Sequence, residues 1–167
     1  MKLASILTKE KILLGMDSDQ RWQAIEELID HLDARGLLGG ENREDILKSL
    51  HTREEQTSTG IGSGVAIPHA FSEKLSEVIA IFGRSEKGII FDAIDNAPVK
   101  LILLFIVPKK NYHLHLQALS AIAKMFNNCE IRQNLLEAQD AAEILEILSS
   151  TPSRTHSNHS TQRLQAD

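Results

Sequence analysis

The feature that most constrains this fold is the run Val99–Val107, in which Lys100 is the only polar residue. An unbroken segment of β-branched and aliphatic side chains is typical of a strand that is covered on both faces. Such a strand requires a layer of structure on each side of its sheet. Val78–Phe82 predicts a neighbouring strand, and Val65–Ile67 predicts a short extended segment that stops at Pro68.

Helical patterns lie on both sides of these strands in the sequence. Apolar residues recur at helical spacing from Trp22 to Leu32, with Asp17–Asp19 expected to cap the helix and Gly36 to end it. Asn42 is expected to cap a second helix. Helices before and after strands predict an α/β layered domain. Two further helices are predicted over Tyr112–Asn127 and Ile131–Leu148, and a loop over Thr52–Gly64.

The composition is that of one globular domain with a polar extension. With 167 residues, 42% of them hydrophobic, the chain can bury a single core. We expect the domain to occupy residues 1–150. Residues 151–167, rich in Ser, Thr, His, Asn and Gln, are expected to form a disordered polar tail.

Charge and hydropathy disfavour several classes of partner. A net charge of −5 and an aromatic content of 4% argue against nucleic acid or an anionic membrane, and favour a basic protein partner. No segment approaches the ~20 apolar residues that span a bilayer, and the first residues lack a signal-peptide pattern. We therefore expect a cytoplasmic protein with no direct membrane insertion. Cys129, the single cysteine, excludes an intramolecular disulfide and argues against a thiolate zinc site.

The most unusual segment is Arg53–Ala70, which contains three alternating glycines and a Pro-His pair. The glycines permit positive φ and could form a nest of free N–H groups that binds an anion. They are equally compatible with a structural turn, and they match neither the P-loop nor the dinucleotide fingerprint. Pro68 fixes the backbone that enters His69. Neutral imidazole is a competent nucleophile toward a phosphoryl group near neutral pH, so His69 is the leading candidate for chemistry.

A second candidate histidine follows from helical geometry. On the predicted helix, His115 falls within the same apolar arc as Leu116 and Leu119, whereas His113 falls outside it. We therefore expect His115 to face inward near the helix N-terminus, where the helix dipole favours a nearby anion. The alternative is an ordinary core histidine. His113 is expected to face solvent.

These residues carry a resemblance to a known family. Glu54–Ala70 resembles the phosphorylation-site signature of IIA domains of the bacterial phosphoenolpyruvate-dependent phosphotransferase system (PTS), in the fructose/mannitol class. That pattern is an acid or amide, six residues, then Ile-Gly-x-x-Val-Ala-Ile-Pro-His, and every defined position is met. Phe91–Val99 and His115–Ser120 are similar to two further blocks of the family. The similarity spans about Leu3–Leu148, and Phe91–Val99 most resembles the nitrogen-regulatory members.

The resemblance implies both a fold and an activity. The fold would be a single-domain α/β sandwich whose mixed, roughly five-stranded β-sheet is flanked by helices. The activity would be that of a phosphoryl carrier, in which His69 accepts phosphate from an HPr-type histidine phosphocarrier protein; family members use Nε2. The downstream partner would be a IIB domain or a regulated target protein. No metal or cofactor is implied.

The resemblance also assigns roles around His69. Arg53 and His115 would surround and stabilise the phosphohistidine. Phosphoryl transfer passes through a loose transition state, so the protein mainly positions groups and supplies positive charge, and arginine can contact two phosphate oxygens at once. Glu55 and Gln56 are expected to be solvated. Further candidate phosphate-binding residues are Thr57, Ser58, Thr59, Gly60, Gly62 and Gly64.

Three alternatives compete with a nitrogen-regulatory phosphoryl carrier. The chain could be a soluble IIA subunit of a fructose/mannitol-type sugar transporter. It could also be a protein-binding module that has kept the fold without phosphorylation. A hydrolytic zinc site of His69, His113 and His115 is disfavoured, because residues i and i+2 of a helix diverge by about 200° and seldom share one ion.

Overall fold

The structure, a computed structural model, describes residues 3–110 and 112–150. The predicted tail, 151–167, lies outside the described residues. The strands are β1 (Ile12–Leu14), β2 (Gly60–Gly62), β3 (Val65–Ala66), β4 (His69–Ser72), β5 (Ile79–Ile89) and β6 (Val99–Pro108). The α-helices are α1 (Leu3–Ile6), α2 (Arg21–Ala34), α3 (Arg43–Gln56), α4 (Tyr112–Met125), α5 (Cys129–Glu137) and α6 (Ala141–Ser150), and Lys9–Lys11 forms a 3-10 turn.

The sheet is mixed and is built around β6. The strand order is β1-β5-β6-β3-β2, and β4 also pairs with β6. β6 runs antiparallel to β5 and parallel to both β3 and β4, while β1 is parallel to β5 and β2 antiparallel to β3. Since β3 and β4 pair with successive stretches of β6, six strands fill five positions. The prediction of a mixed, roughly five-stranded sheet flanked by helices is confirmed.

The strand β6 is covered on both faces, as its continuous apolar sequence predicts. Its side chains alternate between two cores: one is shared with α2 and α3, and the other with α4, α5 and α6. Burial on both faces makes this strand the common wall of the two layers. From Leu101 to Val107, the residues on the first face are Ile102, Leu104 and Ile106, and those on the second are Leu101, Leu103, Phe105 and Val107.

A proline divides the strand that carries the candidate histidine. Pro68 has no N–H, so the chain cannot continue an unbroken ladder through it. The Pro68 carbonyl still accepts from the Phe105 amide at 2.9 Å, and the Ile67 amide instead donates to the Thr59 carbonyl at 3.0 Å. The chain rejoins β6 at His69. The predicted stop at Pro68 is therefore a break between two strands.

The helix boundaries correct three of the predictions. The first helix begins after Gln20, and the amides of Asp17 and Ser18 donate to the Glu27 carboxylate rather than belonging to a cap. The predicted loop from Thr52 is wrong over its first residues, because α3 continues to Gln56.

The third correction concerns the C-terminal helix. The helix predicted over Ile131–Leu148 is two helices, since α5 ends at Glu137 and the Asp140 carboxylate receives the Glu143 amide at 2.9 Å as α6 begins. By contrast, Asn42 caps α3 as predicted, accepting from the amides of Glu44 and Asp45.

A buried arginine ties the sheet to α5. Arg84, on β5, is 8% exposed, and its Nη1 donates to the carbonyls of Leu135 and Ala138 at 2.9 and 2.6 Å. These carbonyls lie at the C-terminal end of α5, where the helix dipole favours a positive charge. The guanidinium therefore satisfies the end of a helix that packs on the sheet.

Replacing this cation tests its contribution to the fold. Arg84→Met should lower the free energy of unfolding by about 2–3 kcal/mol, because two buried carbonyls lose a charged donor. Lys87→Met, on the exposed part of the same strand, should change it by less than about 0.5 kcal/mol. Urea unfolding of both variants measures the difference, and equal losses of stability would contradict this role of Arg84.

Candidate functional site

His69 is the first residue of β4 and is held by both ring nitrogens. Nδ1 lies 3.0 Å from the Ile67 carbonyl oxygen, and Nε2 lies 3.3 Å from Nε of Arg53. A carbonyl can only accept, so Nδ1 must carry the proton, whereas the Arg53 N–H donates to the lone pair of Nε2. The two partners thus select one tautomer. Nε2 is the nitrogen left able to act as a nucleophile.

The surroundings keep this imidazole neutral. Burial lowers the pKa of His69 from its ordinary value, and the nearby Arg53 guanidinium lowers it further. The hydrogen bond to Ile67 and the Glu54 carboxylate act in the opposite direction and only partly offset these effects. At neutral pH Nε2 therefore carries no proton, and its lone pair is occupied only by the hydrogen bond from Arg53.

Arg53 reaches His69 from the last turn of α3. Its Nη1 donates to the Thr57 carbonyl at 2.9 Å, just beyond the helix end, and its Nε faces the histidine. The remaining nitrogen, Nη2, makes no hydrogen bond to any residue that the structure describes. The exposed side chain of Thr57 lies beside this helix end. Arg53 therefore presents an unused pair of N–H donors close to Nε2 of His69.

The Ser58 and Thr59 hydroxyls are engaged in holding the loop. Thr59 is 5% exposed and donates from its amide and its hydroxyl to the two oxygens of Glu54, at 2.8 and 2.6 Å. The Ser58 hydroxyl donates to the Phe91 carbonyl and accepts from the Gly60 amide. Sequence reasoning missed this contact of Glu54 with the loop, although the acid at the start of the signature segment was its signal.

The glycines shape the β2–β3 hairpin. Gly60 lies against Ala93, whose Cβ would be 2.7 Å from any Cβ added at this position. Gly62 and Gly64 have φ of 93° and 78° and close the turn on either side of Ser63. This turn lies about 13 Å along β6 from the His69 position. The structure therefore does not bring Gly62 and Gly64 to His69.

The Phe91–Val99 segment supports this hairpin. Asp95 accepts from the amides of Ser63 and Ala97 at 2.9 and 3.1 Å, and these backbone hydrogen bonds lower the pKa of its carboxyl group. The Ile94 amide donates to the Gly60 carbonyl. The second sequence block thus holds the first in place.

The start of α4 approaches the site through an aromatic contact. Phe71 packs edge-on against His69, with ring centroids 6.3 Å apart, and Tyr112 packs edge-on against Phe71 at 6.0 Å. His115 lies in the first turn of α4, three residues after Tyr112, and is half-buried as its helical position predicts. Its imidazole makes no hydrogen bond within residues 3–110 and 112–150. His113 is exposed against Tyr112. The structure thus places His115 on the same end of α4 as Tyr112, with no hydrogen bond between its imidazole and His69.

Metal-ligand geometry and membrane-spanning segments are both missing from the part of the chain that the structure describes. In residues 3–110 and 112–150, no three His, Cys, Asp or Glu side chains are grouped to hold a metal ion. Over the same residues, no helix has the length and apolar character needed to cross a bilayer.

Fold and site together define a mixed α/β sandwich domain with a neutral histidine placed between a helix end and an interrupted strand. A family model described as the phosphoenolpyruvate-dependent sugar phosphotransferase system, EIIA 2, matches residues 5–151. The chain therefore belongs to the EIIA type-2 family of the phosphotransferase system.

Relatives of two kinds are similar to the chain. It is 34% identical over 149 residues to the fructose-specific EIIABC component of Bacillus subtilis, covering 89% of this chain but 23% of that longer protein. It is also 34% identical over 152 residues to the nitrogen regulatory protein of Escherichia coli, covering 90% of this chain and 91% of that one. The crystal structure of nitrogen regulatory protein IIA-Ntr from Neisseria meningitidis superposes with a TM-score of 0.81 at 32% identity, covering 87% and 98% of the two chains.

The protonation of His69 is directly measurable. NMR titration of its ring protons should give a pKa below the ordinary value of about 6.5. Arg53→Met should raise that pKa only part of the way back, because burial, the larger cause, remains. Lys48→Met, exposed on the same helix, should leave it unchanged.

The same shift has a consequence for stability. Because the unfolded chain binds this proton more readily, His69 contributes stability above pH ~6.5 that is lost as the pH falls through the folded-state pKa. If the NMR titration of His69 had its midpoint above the ordinary histidine pKa of about 6.5, the imidazole would not be held neutral and this description would be wrong.

Proposed function

We propose that the protein is a phosphoryl carrier of the phosphotransferase system that accepts phosphate on Nε2 of His69 from an HPr-type histidine phosphocarrier in the cytoplasm. We further propose that it acts as a nitrogen-regulatory type IIA regulator. The observation that supports the carrier role is the pair of contacts on the imidazole. Ile67 holds the proton on Nδ1, and Arg53 lies beside Nε2.

The transfer step follows from this tautomer. The Nε2 lone pair attacks the phosphorus of the donor's phosphohistidine, and the new N–P bond forms as the donor's N–P bond breaks. The electron pair of the broken bond returns to the donor imidazole. His69 has no proton to lose from Nε2. Its Nδ1 keeps its proton and donates it in a hydrogen bond to the Ile67 carbonyl, which stabilises the positive charge that develops on the ring.

Arg53 is proposed to stabilise the transferred group. Its Nη2 has unused donors near the position that a phosphate on Nε2 would occupy, and a guanidinium can contact two oxygens at once. The Thr57 hydroxyl, which donates to the Gln56 carbonyl at 2.7 Å, would have to turn away from that carbonyl to act as a further donor. His115 is proposed to donate a ring N–H to the phosphate from the first turn of α4, where the helix dipole favours an anion.

An apolar rim suits the approach of a donor protein. Phe71 and Tyr112 are 36% and 38% exposed beside His69, and Leu114 is 64% exposed on the same first turn of α4. Exposed aromatic and aliphatic residues next to a reactive group are typical of small, transient protein contacts. The net charge of −5 favours a basic donor surface.

The regulatory subtype is supported by full-length similarity to nitrogen regulatory proteins, which the chain matches over 91% and 98% of their lengths in the two cases described. The second candidate function, a soluble subunit of a fructose-type transporter, is supported by 34% identity to the fructose-specific relative. The two differ in the acceptor: a regulated target protein in the first case, and a IIB domain in the second.

Intact-protein mass spectrometry tests the carrier function. The wild type, incubated with phosphoenolpyruvate, enzyme I and HPr-type carriers under mildly basic conditions, should gain one phosphate, and His69→Ala should gain none. Arg53→Met should be phosphorylated about a hundredfold more slowly, the order of effect expected for loss of one charged donor at a reacting centre. Lys48→Met is the matched control and should react at the wild-type rate.

The same assay separates the alternatives. Addition of a IIB domain should remove phosphate from the wild type if the protein is a transporter subunit, and should leave it in place if the regulatory subtype is correct. If no pair of carriers phosphorylates the folded wild type while a positive control is phosphorylated, the protein is better described as a binding module that has kept the fold.

A further inference from the structure

We infer that Glu54 is a positioning residue for His69, acting through the backbone of Thr59 and Ile67 to hold the proton on Nδ1. Both oxygens of Glu54 accept from Thr59, so its carboxylate faces the loop rather than the imidazole. The inference deepens the proposed function and rests on it for the effect on transfer rate, whereas the effect on the tautomer stands independently.

The contacts form a continuous relay. Glu54 accepts from the Thr59 amide at 2.8 Å and from its hydroxyl at 2.6 Å. The Thr59 carbonyl accepts from the Ile67 amide at 3.0 Å. The Ile67 carbonyl, on the other side of the same residue, accepts from His69 Nδ1 at 3.0 Å. Each link places the next, so the position of the Ile67 carbonyl depends on where Glu54 holds the loop.

Because Glu54 is buried, its hydrogen bonds to Thr59 must offset the free energy of removing a carboxylate from water. Glu54 is 2% exposed, and a carboxylate taken out of water needs several partners to offset the loss of hydration. Both of its oxygens accept from Thr59, and Nη1 of Arg21 lies 4.0 Å from Oε1. The loop anchor is thus a fully buried acceptor with a cation nearby.

Adjacent residues of α3 thereby control opposite sides of one ring. Consecutive helical residues point about 100° apart, so Arg53 and Glu54 project in different directions from the same turn. Arg53 reaches Nε2 directly, and Glu54 reaches Nδ1 through the relay. The end of α3 therefore sets both the placement of the cation and the tautomer of the nucleophile.

The test compares two side chains of similar length at this position. Glu54→Gln keeps an oxygen that can accept from the Thr59 amide, whereas Glu54→Met fills the space and accepts nothing. Glu55→Met, at the exposed neighbouring position on α3, is the matched control. The readout is the pair of ring ¹⁵N chemical shifts of His69, recorded at a pH above the pKa of His69. These shifts report which ring nitrogen carries the proton.

In the wild type, Glu54→Gln and Glu55→Met, the shifts should show the proton on Nδ1. In Glu54→Met the two shifts should move part of the way toward each other, because Arg53 still donates to Nε2 and continues to favour the proton on Nδ1. Phosphorylation should slow by about tenfold, as expected for loss of one hydrogen bond. A folded Glu54→Met with the wild-type tautomer would overturn the inference. So would a Glu54→Gln variant that loses the Nδ1 proton as completely as Glu54→Met.

If Glu54→Met does not fold, Glu54→Asp carries the test, because it keeps a charge beside Arg21 while withdrawing the acceptor by about 1.5 Å, one C–C bond length. It should also mix the tautomers, and an unchanged tautomer there overturns the inference. Absence of phosphorylation in the wild type would count against the proposed function, while the ¹⁵N shifts would still decide the role of Glu54.

Discussion

The break in the strand at Ile67–Pro68 is the constraint on which the site depends. Pro68 cannot donate to the ladder, so the Ile67 amide is turned toward Thr59 and its carbonyl toward the ring of His69. One interruption therefore anchors the signature loop and selects the tautomer. A continuous strand would use these two backbone groups for pairing, and His69 would lack a partner for Nδ1.

The break in the strand lies between the two helical layers of the fold. β6 is covered on both faces, so α3 packs on one side of the sheet and α4 on the other. His69 pairs with Phe105, whose side chain belongs to the α4 layer, yet Arg53 reaches it from the α3 layer. The histidine thus lies where the two layers meet. Partial burial at that junction lowers its pKa while leaving a route for a partner protein.

The sequence predicts the parts of this arrangement that have local causes. The apolar run of β6, the stop at Pro68 and the reactivity of His69 follow from hydrophobicity and backbone chemistry. The extension of α3 to Gln56 could not be predicted in this way, because the last turn of the helix is polar and shows no apolar periodicity. The burial of Glu54 could not be predicted either, since its partners come from Thr59 and another helix. The sequence shows a single acidic residue at this position, but it does not show which residues that acid contacts in the folded chain.

The most direct test of the account is to identify the nitrogen that carries the phosphate. The protein, labelled with ¹⁵N in its histidine rings and phosphorylated by its carriers, should show ³¹P–¹⁵N coupling to Nε2 of His69, with Nδ1 still protonated. That result would agree with the role of the Ile67 carbonyl as the partner of Nδ1. Phosphate on Nδ1 would contradict the account, because the hydrogen bond that defines the site would have to break.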